Sequence, residues 1–213
     1  MRRLGLALLM LALAGCQGPP PGVPAKTFVT PAVQHDYIPL QGSVFMIFEG
    51  DGAAVAIGNG VAVTNAHNAN LIDPKVVLGG SVDYDLLFFH SKKKVADLST
   101  EPPHLGEHVI AYGQGDGGSL RMAEGVVNSL DAPVKARCAK CAVQTAFTFE
   151  GNAGPGFSGG PVLDAKDGHL LGIVFGYVDP TDAKSGRTIY AYSMERVFAE
   201  LEQIARNAPQ DVD

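Results

Sequence analysis

A serine surrounded by glycines is the feature of this sequence that most directly suggests chemistry. Ser158 lies in the stretch GPGFSGGP at residues 154–161, with Gly156 before it and Gly159 after it. A hydroxyl group is a poor nucleophile near neutral pH, so it needs a neighbouring base and hydrogen-bond donors directed at the developing oxyanion. Glycines allow a sharp turn that brings backbone N–H groups close to a substrate carbonyl. The stretch therefore predicts acyl transfer with Ser158 as the nucleophile.

Two groups that could activate this serine occur upstream. His67 ends the apolar stretch VAVTNAH at residues 61–67, and Asp85 opens the apolar run DLLFF. An imidazole can accept the serine proton, and a carboxylate can fix the imidazole tautomer. Asp83 is an alternative carboxylate. Because residues two apart in a strand face the same side, periodicity leaves both aspartates open.

The three motifs T-N-A-H, D-L-L-F-F and P-G-F-S-G-G-P occur in the order His, Asp, Ser. Together they resemble the trypsin-like serine peptidase family, in its compact bacterial branch. The resemblance spans roughly residues 40–204. It implies an all-β fold of two antiparallel six-stranded β-barrels with a C-terminal helix. It also implies a serine endopeptidase that hydrolyses protein or peptide substrates and uses no metal and no cofactor.

The resemblance assigns a role to each motif. His67 is the expected general base and Ser158 the expected nucleophile, with the backbone N–H groups of Gly156 and Ser158 forming the oxyanion hole. The family pattern places the aspartate directly before the apolar strand, which favours Asp85 over Asp83. The interval of 18 residues between His67 and Asp85 is short for the family, and it predicts a trimmed first barrel.

The same resemblance predicts a specificity pocket. Asn152 falls where the family sets the pocket floor, Val174 belongs to a wall strand, and Tyr177 replaces the glycine of open pockets. The bulky Tyr177 should narrow the pocket entrance, and a neutral floor offers no partner for a buried cation. We therefore expect small or aliphatic residues, Ala or Val, on the acyl side of the cut bond. Phe157 stands where vertebrate trypsins carry an aspartate that pairs with a newly cut N-terminus. Activation of that kind is therefore not expected.

Short apolar runs separated by glycine and polar turns predict two sets of strands. The first set covers residues 44–48, 53–57, 60–64, 75–78 and 86–89, and the second covers 109–112, 120–127, 143–149, 161–163, 170–178 and 188–192. These sets predict barrels at about 40–100 and 104–192 within a peptidase domain of residues 40–206. Apolar residues at helical spacing, with Ser193 as the cap, predict a helix over 193–206, followed by a tail at 207–213.

The N-terminus is typical of an export signal. Residues 1–15 combine a basic start with an apolar run that is too short to span a bilayer. The sequence LAGC at 13–16 resembles the lipobox of bacterial lipoproteins, which implies cleavage before Cys16 and lipidation of that cysteine. Gln17, where an aspartate favours inner-membrane retention, implies an outer-membrane anchor facing the periplasm. Proline-rich residues 16–39 are expected to form a spacer.

Charge and cysteine content limit the partners. The net charge is −6 and no basic stripe occurs, so nucleic acid is not an expected partner. Only the N-terminal lipid is expected to contact a membrane, and the sequence leaves the oligomeric state open. Cys138 and Cys141 are expected to form a disulfide, because an exported chain favours oxidation and no further His or Cys pair completes a zinc site.

Two other functions stay open at this point. The chain could be a protease-fold lipoprotein that has lost activity and acts as a binding protein, or the pair Cys138 and Cys141 could carry thiol chemistry. Reaction of Ser158 with an organophosphonate would separate the first alternative from a working peptidase.

Overall fold

The structure is a computed structural model, and it describes residues 21–30, 36–44, 48–93, 95, 99–115, 118–134, 144–181 and 185–207. The expected signal at 1–15, the expected lipidation site Cys16 and the expected disulfide pair Cys138 and Cys141 lie outside these residues. The described chain is mostly β, as predicted. Its strands are β1 (Val23–Pro24), β2 (Tyr37–Val44), β3 (Phe48–Gly58), β4 (Val61–Thr64), β5 (Val77–Gly80), β6 (Leu87–His90), β7 (His108–Gly115), β8 (Ser119–Val134), β9 (Gln144–Gly151), β10 (Pro161–Asp164), β11 (Leu170–Val178) and β12 (Arg187–Ser193).

The second half of the chain forms a closed barrel. Its antiparallel strand order is β8-β7-β10-β11-β12-β9, and β9 pairs back onto β8. Side chains that alternate inward, such as Phe147, Phe149 and Ile189, fill its interior and are fully buried or nearly so. The predicted six-stranded second barrel is therefore confirmed.

The described part of the first half is trimmed, as the short interval between His67 and Asp85 predicted, and it departs from the six strands that the resemblance implied. Its described strands form a five-stranded antiparallel sheet in the order β2-β3-β4-β6-β5, where the sequence predicted a six-stranded barrel. The strand predicted at 44–48 is also misplaced, because β2 ends at Val44 and β3 begins at Phe48. The real β2 begins at Tyr37, and prolines at 31 and 39 masked its apolar pattern.

The two halves share an apolar interface. Val55 and Phe88 from the first sheet lie in one buried cluster with Ile110, Leu163 and Ile173 from the second. Burying one such side chain contributes about 1.5–3 kcal/mol to the stability of the folded protein. Any residues brought together at the edge of this interface are thus held by a core and not by loops alone.

The predicted spacer is partly folded. β1 pairs with β8, with Val23 opposite Met122. Phe28 packs on the rings of Tyr37 and Tyr112, with centroid distances of 5.1 and 4.7 Å. The expected domain start at residue 40 therefore cuts through β2, and the described residues 21–30 lie against the folded domain.

Helix α1 (Met194–Asn207) follows β12 directly, close to the predicted 193–206. The Ser193 hydroxyl accepts a hydrogen bond from the Arg196 N–H at 3.3 Å and so caps its start. Met194 and Val197 bury its apolar face. The helix also reaches the first sheet, where the Ser81 hydroxyl donates to Glu200 at 2.7 Å. In the described part of the chain, no helix has the length and apolarity needed to cross a bilayer.

Candidate active site

The pairing of β4 with β6 brings His67 and Asp85 together. Thr64 lies opposite Leu87 in this antiparallel register, so continuing the register by two residues places residue 66 opposite residue 85. His67 itself lies in a 3₁₀ helix over Ala66–Leu71, three residues beyond the end of β4. The strand predicted at 60–64 agrees with β4, and the histidine follows that strand in a helical turn.

The carboxylate of Asp85 contacts His67 twice. Asp85 Oδ2 lies 2.5 Å from His67 Nδ1, and Asp85 Oδ1 accepts the His67 backbone N–H at 3.1 Å. The Asp85 side chain is 16% exposed and that of His67 is 44% exposed. A carboxylate on Nδ1 holds the proton there, which leaves Nε2 as the acceptor on the opposite side of the ring.

The backbone of Asp85 is fixed from both halves of the molecule. Its carbonyl accepts from Asn65 Nδ2 at 3.0 Å and from the Ala66 N–H at 3.3 Å. Its N–H points to the Tyr192 hydroxyl at 3.4 Å, and that hydroxyl donates to Gln144 Oε1 at 3.0 Å. Because Tyr192 and Gln144 belong to the second barrel, the position of the aspartate depends on the docking of the two halves.

The two candidate aspartates are now separated by geometry. Asp85 supplies both oxygens that bond to His67. Asp83 lies in the same bend, since residues 82–85 precede β6 and are not part of a strand. Strand periodicity therefore does not determine the directions of these two side chains. The contact with His67 favours Asp85.

Ser158 sits in a pair of consecutive tight turns. The Phe157 N–H closes the first on Gly154 O at 3.0 Å, and the Gly160 N–H closes the second on Phe157 O at 2.8 Å. The third residue of each turn has a positive φ, +87° at Gly156 and +81° at Gly159. Such turns with an ordinary second residue are type II, which needs glycine at the third position. This is the physical reason for the glycine spacing around the serine.

The space around these glycines is equally restrictive. A Cβ at Gly159 would collide with the Ala53 carbonyl and the Thr64 hydroxyl, and one at Gly156 would collide with the Gln114 carbonyl. The serine turn thus packs directly on β3, β4 and β7. Its shape is imposed by close backbone contact as well as by turn geometry.

A buried asparagine joins the serine turn to the histidine. Asn68 Nδ2 donates to the Ser158 carbonyl and to the Thr64 hydroxyl, each at 3.0 Å. The Ala53 N–H donates to the same Ser158 carbonyl at 2.8 Å. Asn68 directly follows His67, so the histidine and the serine are tied to a common hydrogen-bond network that crosses the interface between the two halves.

The backbone N–H groups of Gly156 and Ser158, the expected oxyanion donors, are not used to close the serine turns. Turn closure uses the N–H groups of Phe157 and Gly160. Within the described ranges, neither Gly156 nor Ser158 donates a backbone hydrogen bond. Ser158 itself is half-buried, and both N–H groups lie in one short segment.

The three predicted pocket residues do not share one environment. Val174 is buried, and its N–H and carbonyl bond to Gly160 and Gly159 behind the serine turn. Asn152 is exposed, and its carbonyl accepts the Gly22 N–H at 2.5 Å. Tyr177 is 38% exposed, with the guanidinium of Arg187 above its ring. No local pattern in the sequence indicates a cation at this place.

Phe157 is fully buried next to the N-terminal segment. It is 0% exposed, and a Cβ at Gly22 would lie 2.7 Å from its ring. Arg121 holds the segment in place, donating from Nε to the Pro21 carbonyl at 2.5 Å and from Nη2 to the Gly22 carbonyl at 2.7 Å. A buried apolar ring therefore occupies the position at which vertebrate trypsins carry an ion-pairing aspartate.

Several of these residues carried no usable signal in the sequence. Asn68, Arg121 and Arg187 are ordinary polar residues whose partners lie far away along the chain, as the separation of 90 residues between Asn68 and Ser158 illustrates. Among the described residues, no group of three or more His, Cys, Asp or Glu side chains is arranged to hold a metal ion. The expectation that no metal is used stays a prediction.

A closed all-β barrel docked on a second antiparallel sheet, with His67, Asp85 and the serine turn at their interface, defines the class of trypsin-like double-barrel proteins. Residues 50–173 match the family described as "Trypsin-like peptidase domain". The chain therefore belongs to the trypsin-like peptidase family.

Comparisons with individual proteins agree with this class. The chain is 26% identical over 203 residues to "Protease Do-like 1, chloroplastic" from Arabidopsis thaliana, a match that covers 86% of this chain and 45% of that protein. The chain thus spans less than half of that relative.

Two solved structures share the fold at low sequence identity. The active form of the Rv3671c protease from M. tuberculosis superposes with a TM-score of 0.66 at 19% identity, covering 90% of this chain and 91% of that one. The HtrA-type protease AlgW with a tripeptide gives a TM-score of 0.64 at 16% identity, covering 84% of this chain and 64% of that one. These likenesses establish the architecture alone.

Proposed function

We propose that this protein is a serine endopeptidase that cleaves peptide bonds through an acyl-enzyme intermediate. The observation that carries the proposal is the double contact of Asp85 with His67, joined through Asn68 to the backbone of Ser158. Membership of the trypsin-like peptidase family supports the same reaction class. Protein or peptide chains are the proposed substrates.

The proposed mechanism begins with proton transfer from the serine. His67 Nε2 accepts the proton of Ser158 Oγ as the hydroxyl attacks the substrate carbonyl, and the imidazolium then gives that proton to the leaving amine. Asp85 fixes the tautomer and stabilises the imidazolium through the 2.5 Å contact with Nδ1. Water next attacks the acyl-enzyme, with the same ring as base, and returns Ser158 to its free form.

Stabilisation of the oxyanion falls to the serine turn. In the proposal, the N–H groups of Gly156 and Ser158 donate to the carbonyl oxygen as it becomes negatively charged. Preorganised donors are effective because they need no rearrangement during the reaction, and losing one typically costs about 3 kcal/mol of transition-state stabilisation. The tight packing around Gly156 and Gly159 supports such preorganisation.

Hydrolysis of an unstructured protein such as casein tests the proposal. The wild type should release peptides, whereas Ser158→Ala and His67→Ala should lose activity by at least about a thousandfold while keeping their circular dichroism spectra. His90→Ala is the matched control, because His90 is an exposed residue at the far end of β6. Equal activity of wild type and Ser158→Ala would refute the assignment.

We also propose that Cys16 is lipidated and tethers the peptidase to a bacterial membrane, on the periplasmic face of the outer membrane. The support is the N-terminal sequence, with its short apolar run, LAGC motif and Gln17. Mass spectrometry of the mature protein should find a lipid-modified N-terminal cysteine. An unmodified N-terminus at another residue would contradict the anchor, and it would leave the peptidase proposal unaffected.

A further inference from the structure

A cationic side chain occupies the region that the sequence assigned to substrate selection. Arg187 begins β12, and its guanidinium carbon lies 4.8 Å from the centre of the Tyr177 ring. Its Nη1 donates to the Ala153 carbonyl at 3.2 Å. A Cβ at Gly154 would lie 2.6 Å from the same nitrogen. The cation therefore lies between the end of β11 and the segment that leads into the serine turn.

The position of Arg187 relative to Ser158 follows from backbone contacts. Gly154 accepts the hydrogen bond that closes the first serine turn, so the segment touched by Arg187 continues directly into that turn. On the other side, β11 carries Val174, whose N–H and carbonyl bond to the glycines after Ser158. Both segments that hold the guanidinium are thus connected to the nucleophile over a few residues.

The counter-ion of Arg187 is a largely exposed carboxylate. Asp179 Oδ1 lies 2.8 Å from Arg187 Nε, and the Asp179 side chain is 68% exposed whereas that of Arg187 is 22% exposed. Exposed ion pairs contribute little, because water and salt screen them. A guanidinium has five N–H donors and suits carboxylates especially well. A carboxylate from a substrate could therefore replace Asp179 at small cost.

We propose that Arg187 selects substrates with an acidic side chain, Asp or Glu, on the acyl side of the cleaved bond. This inference rests on the proposed endopeptidase function. It replaces the expectation of small or aliphatic residues, which rested on the neutral Asn152 and the bulky Tyr177 without Arg187. Both inferences predict that substrate Lys and Arg are disfavoured. In the present proposal the reason is electrostatic repulsion by Arg187.

Matched peptide substrates test the proposal through kcat/KM. Peptides that differ only in having Glu, Gln, Ala, Val or Arg at that position should show Glu cleaved at least about tenfold faster than its neutral isostere Gln. In Arg187→Gln the Glu-to-Gln ratio should fall to about one, because the guanidinium is the group that distinguishes the two peptides. In Asp179→Asn the ratio should rise, because the competing carboxylate is gone.

A charge control isolates the role of position from that of net charge. Lys166→Gln removes a cation from an exposed turn, where the Lys166 side chain is 84% exposed. It should leave the Glu-to-Gln ratio unchanged. Raising the salt concentration should reduce the ratio in the wild type, because the preference is electrostatic. A wild type that prefers Ala or Val, or an Arg187→Gln variant that keeps its acidic preference, overturns the proposal.

A binding measurement separates this proposal from the proposed function. Peptides ending in Glu or Gln mimic the acyl-side product and should bind Ser158→Ala without any turnover. Fluorescence anisotropy should show the Glu peptide binding at least about tenfold more tightly, with the difference lost when Arg187→Gln is added. This result would stand even if the wild type cleaved nothing, whereas equal binding of both peptides would refute the role of Arg187 alone.

Discussion

Replacing Arg121 with methionine should release the N-terminal segment from the second barrel. Arg121 Nε and Nη2 donate to the Pro21 and Gly22 carbonyls at 2.5 and 2.7 Å. Hydrogen bonds from charged donors contribute about 1.5–3 kcal/mol each. Because Arg121 is only half-buried, we take the lower end for each bond, which gives about 3 kcal/mol for the pair.

That loss has two measurable consequences. A loss of about 3 kcal/mol in a domain of this size lowers Tm by roughly 6–12 °C. Amide hydrogens that the docked segment protects, at Gly22 (donating to Asn152) and Ala25 (donating to Leu120), should exchange faster by hydrogen–deuterium exchange. The kcat should also fall, because Gly22 packs on Phe157, next to the nucleophile.

Two controls sharpen this experiment. Arg121→Lys keeps the charge but cannot span both carbonyls, so its Tm should lie between those of the wild type and Arg121→Met. Lys166→Met removes an exposed cation and should shift Tm by less than about 2 °C. If Arg121→Met left Tm and the exchange of Gly22 unchanged, the segment would not be held in the way described here.

Three other changes test the remaining parts of the account. Asp85→Asn should lower kcat by about ten-thousandfold, because the imidazole is no longer held in the required tautomer. The kcat of Asp83→Asn should stay within about threefold of the wild-type value. The reversed pattern in steady-state kinetics would assign the role to Asp83. Asn68→Ala removes two buried hydrogen bonds and should lower the free energy of unfolding in urea by about 1–3 kcal/mol; an unchanged midpoint would contradict the bridging role. Burial, aided by the nearby Asp51, raises the pKa of Tyr37, so the folded state keeps that proton longer than the unfolded chain does. The resulting stabilisation of the folded state is complete below about pH 10 and is lost as the pH rises above that value. In Tyr37→Phe, thermal unfolding should show a smaller loss of stability over the same pH range. An equally steep loss of stability in Tyr37→Phe would show that another group causes the pH dependence.

The chemistry-bearing motifs could be predicted because each is local. Two successive turns around Ser158 need a positive φ at fixed positions, and glycines occupy those positions. A few adjacent residues are therefore enough to indicate these turns. The apolar runs of the second barrel are likewise local signals, because strands such as β7 and β11 are buried along continuous stretches of the chain. Asp85 could be favoured over Asp83 only through the family pattern, because the residues before β6 form a bend whose side chains follow no simple periodicity.

What the sequence missed depends on contacts between distant segments. The start of β2 at Tyr37 is set by eight residue pairs with β3, and proline at positions 31 and 39 hid that strand. The docking of Gly22 depends on Arg121, 99 residues away, and the position of Arg187 depends on Ala153, 34 residues away. Such pairings depend on the packing of the whole chain, so no local sequence pattern predicts them.

The short interval between His67 and Asp85 also has a structural explanation. The two residues lie beyond the ends of neighbouring antiparallel strands, β4 and β6, and the intervening chain forms two 3₁₀ turns and the short strand β5. A five-stranded sheet is sufficient to hold this register. The interval that predicted a trimmed first barrel is thus compatible with the contact between imidazole and carboxylate.

Covalent labelling of the nucleophile tests the central claim most directly. An organophosphonate probe reacts with a serine hydroxyl only where a base and oxyanion donors activate it. We predict that intact-mass and peptide mass spectrometry will show one adduct on the wild type, located on Ser158, with greatly reduced labelling in His67→Ala and none in Ser158→Ala. A folded wild type that stays unlabelled, or an adduct on another residue, would contradict the account.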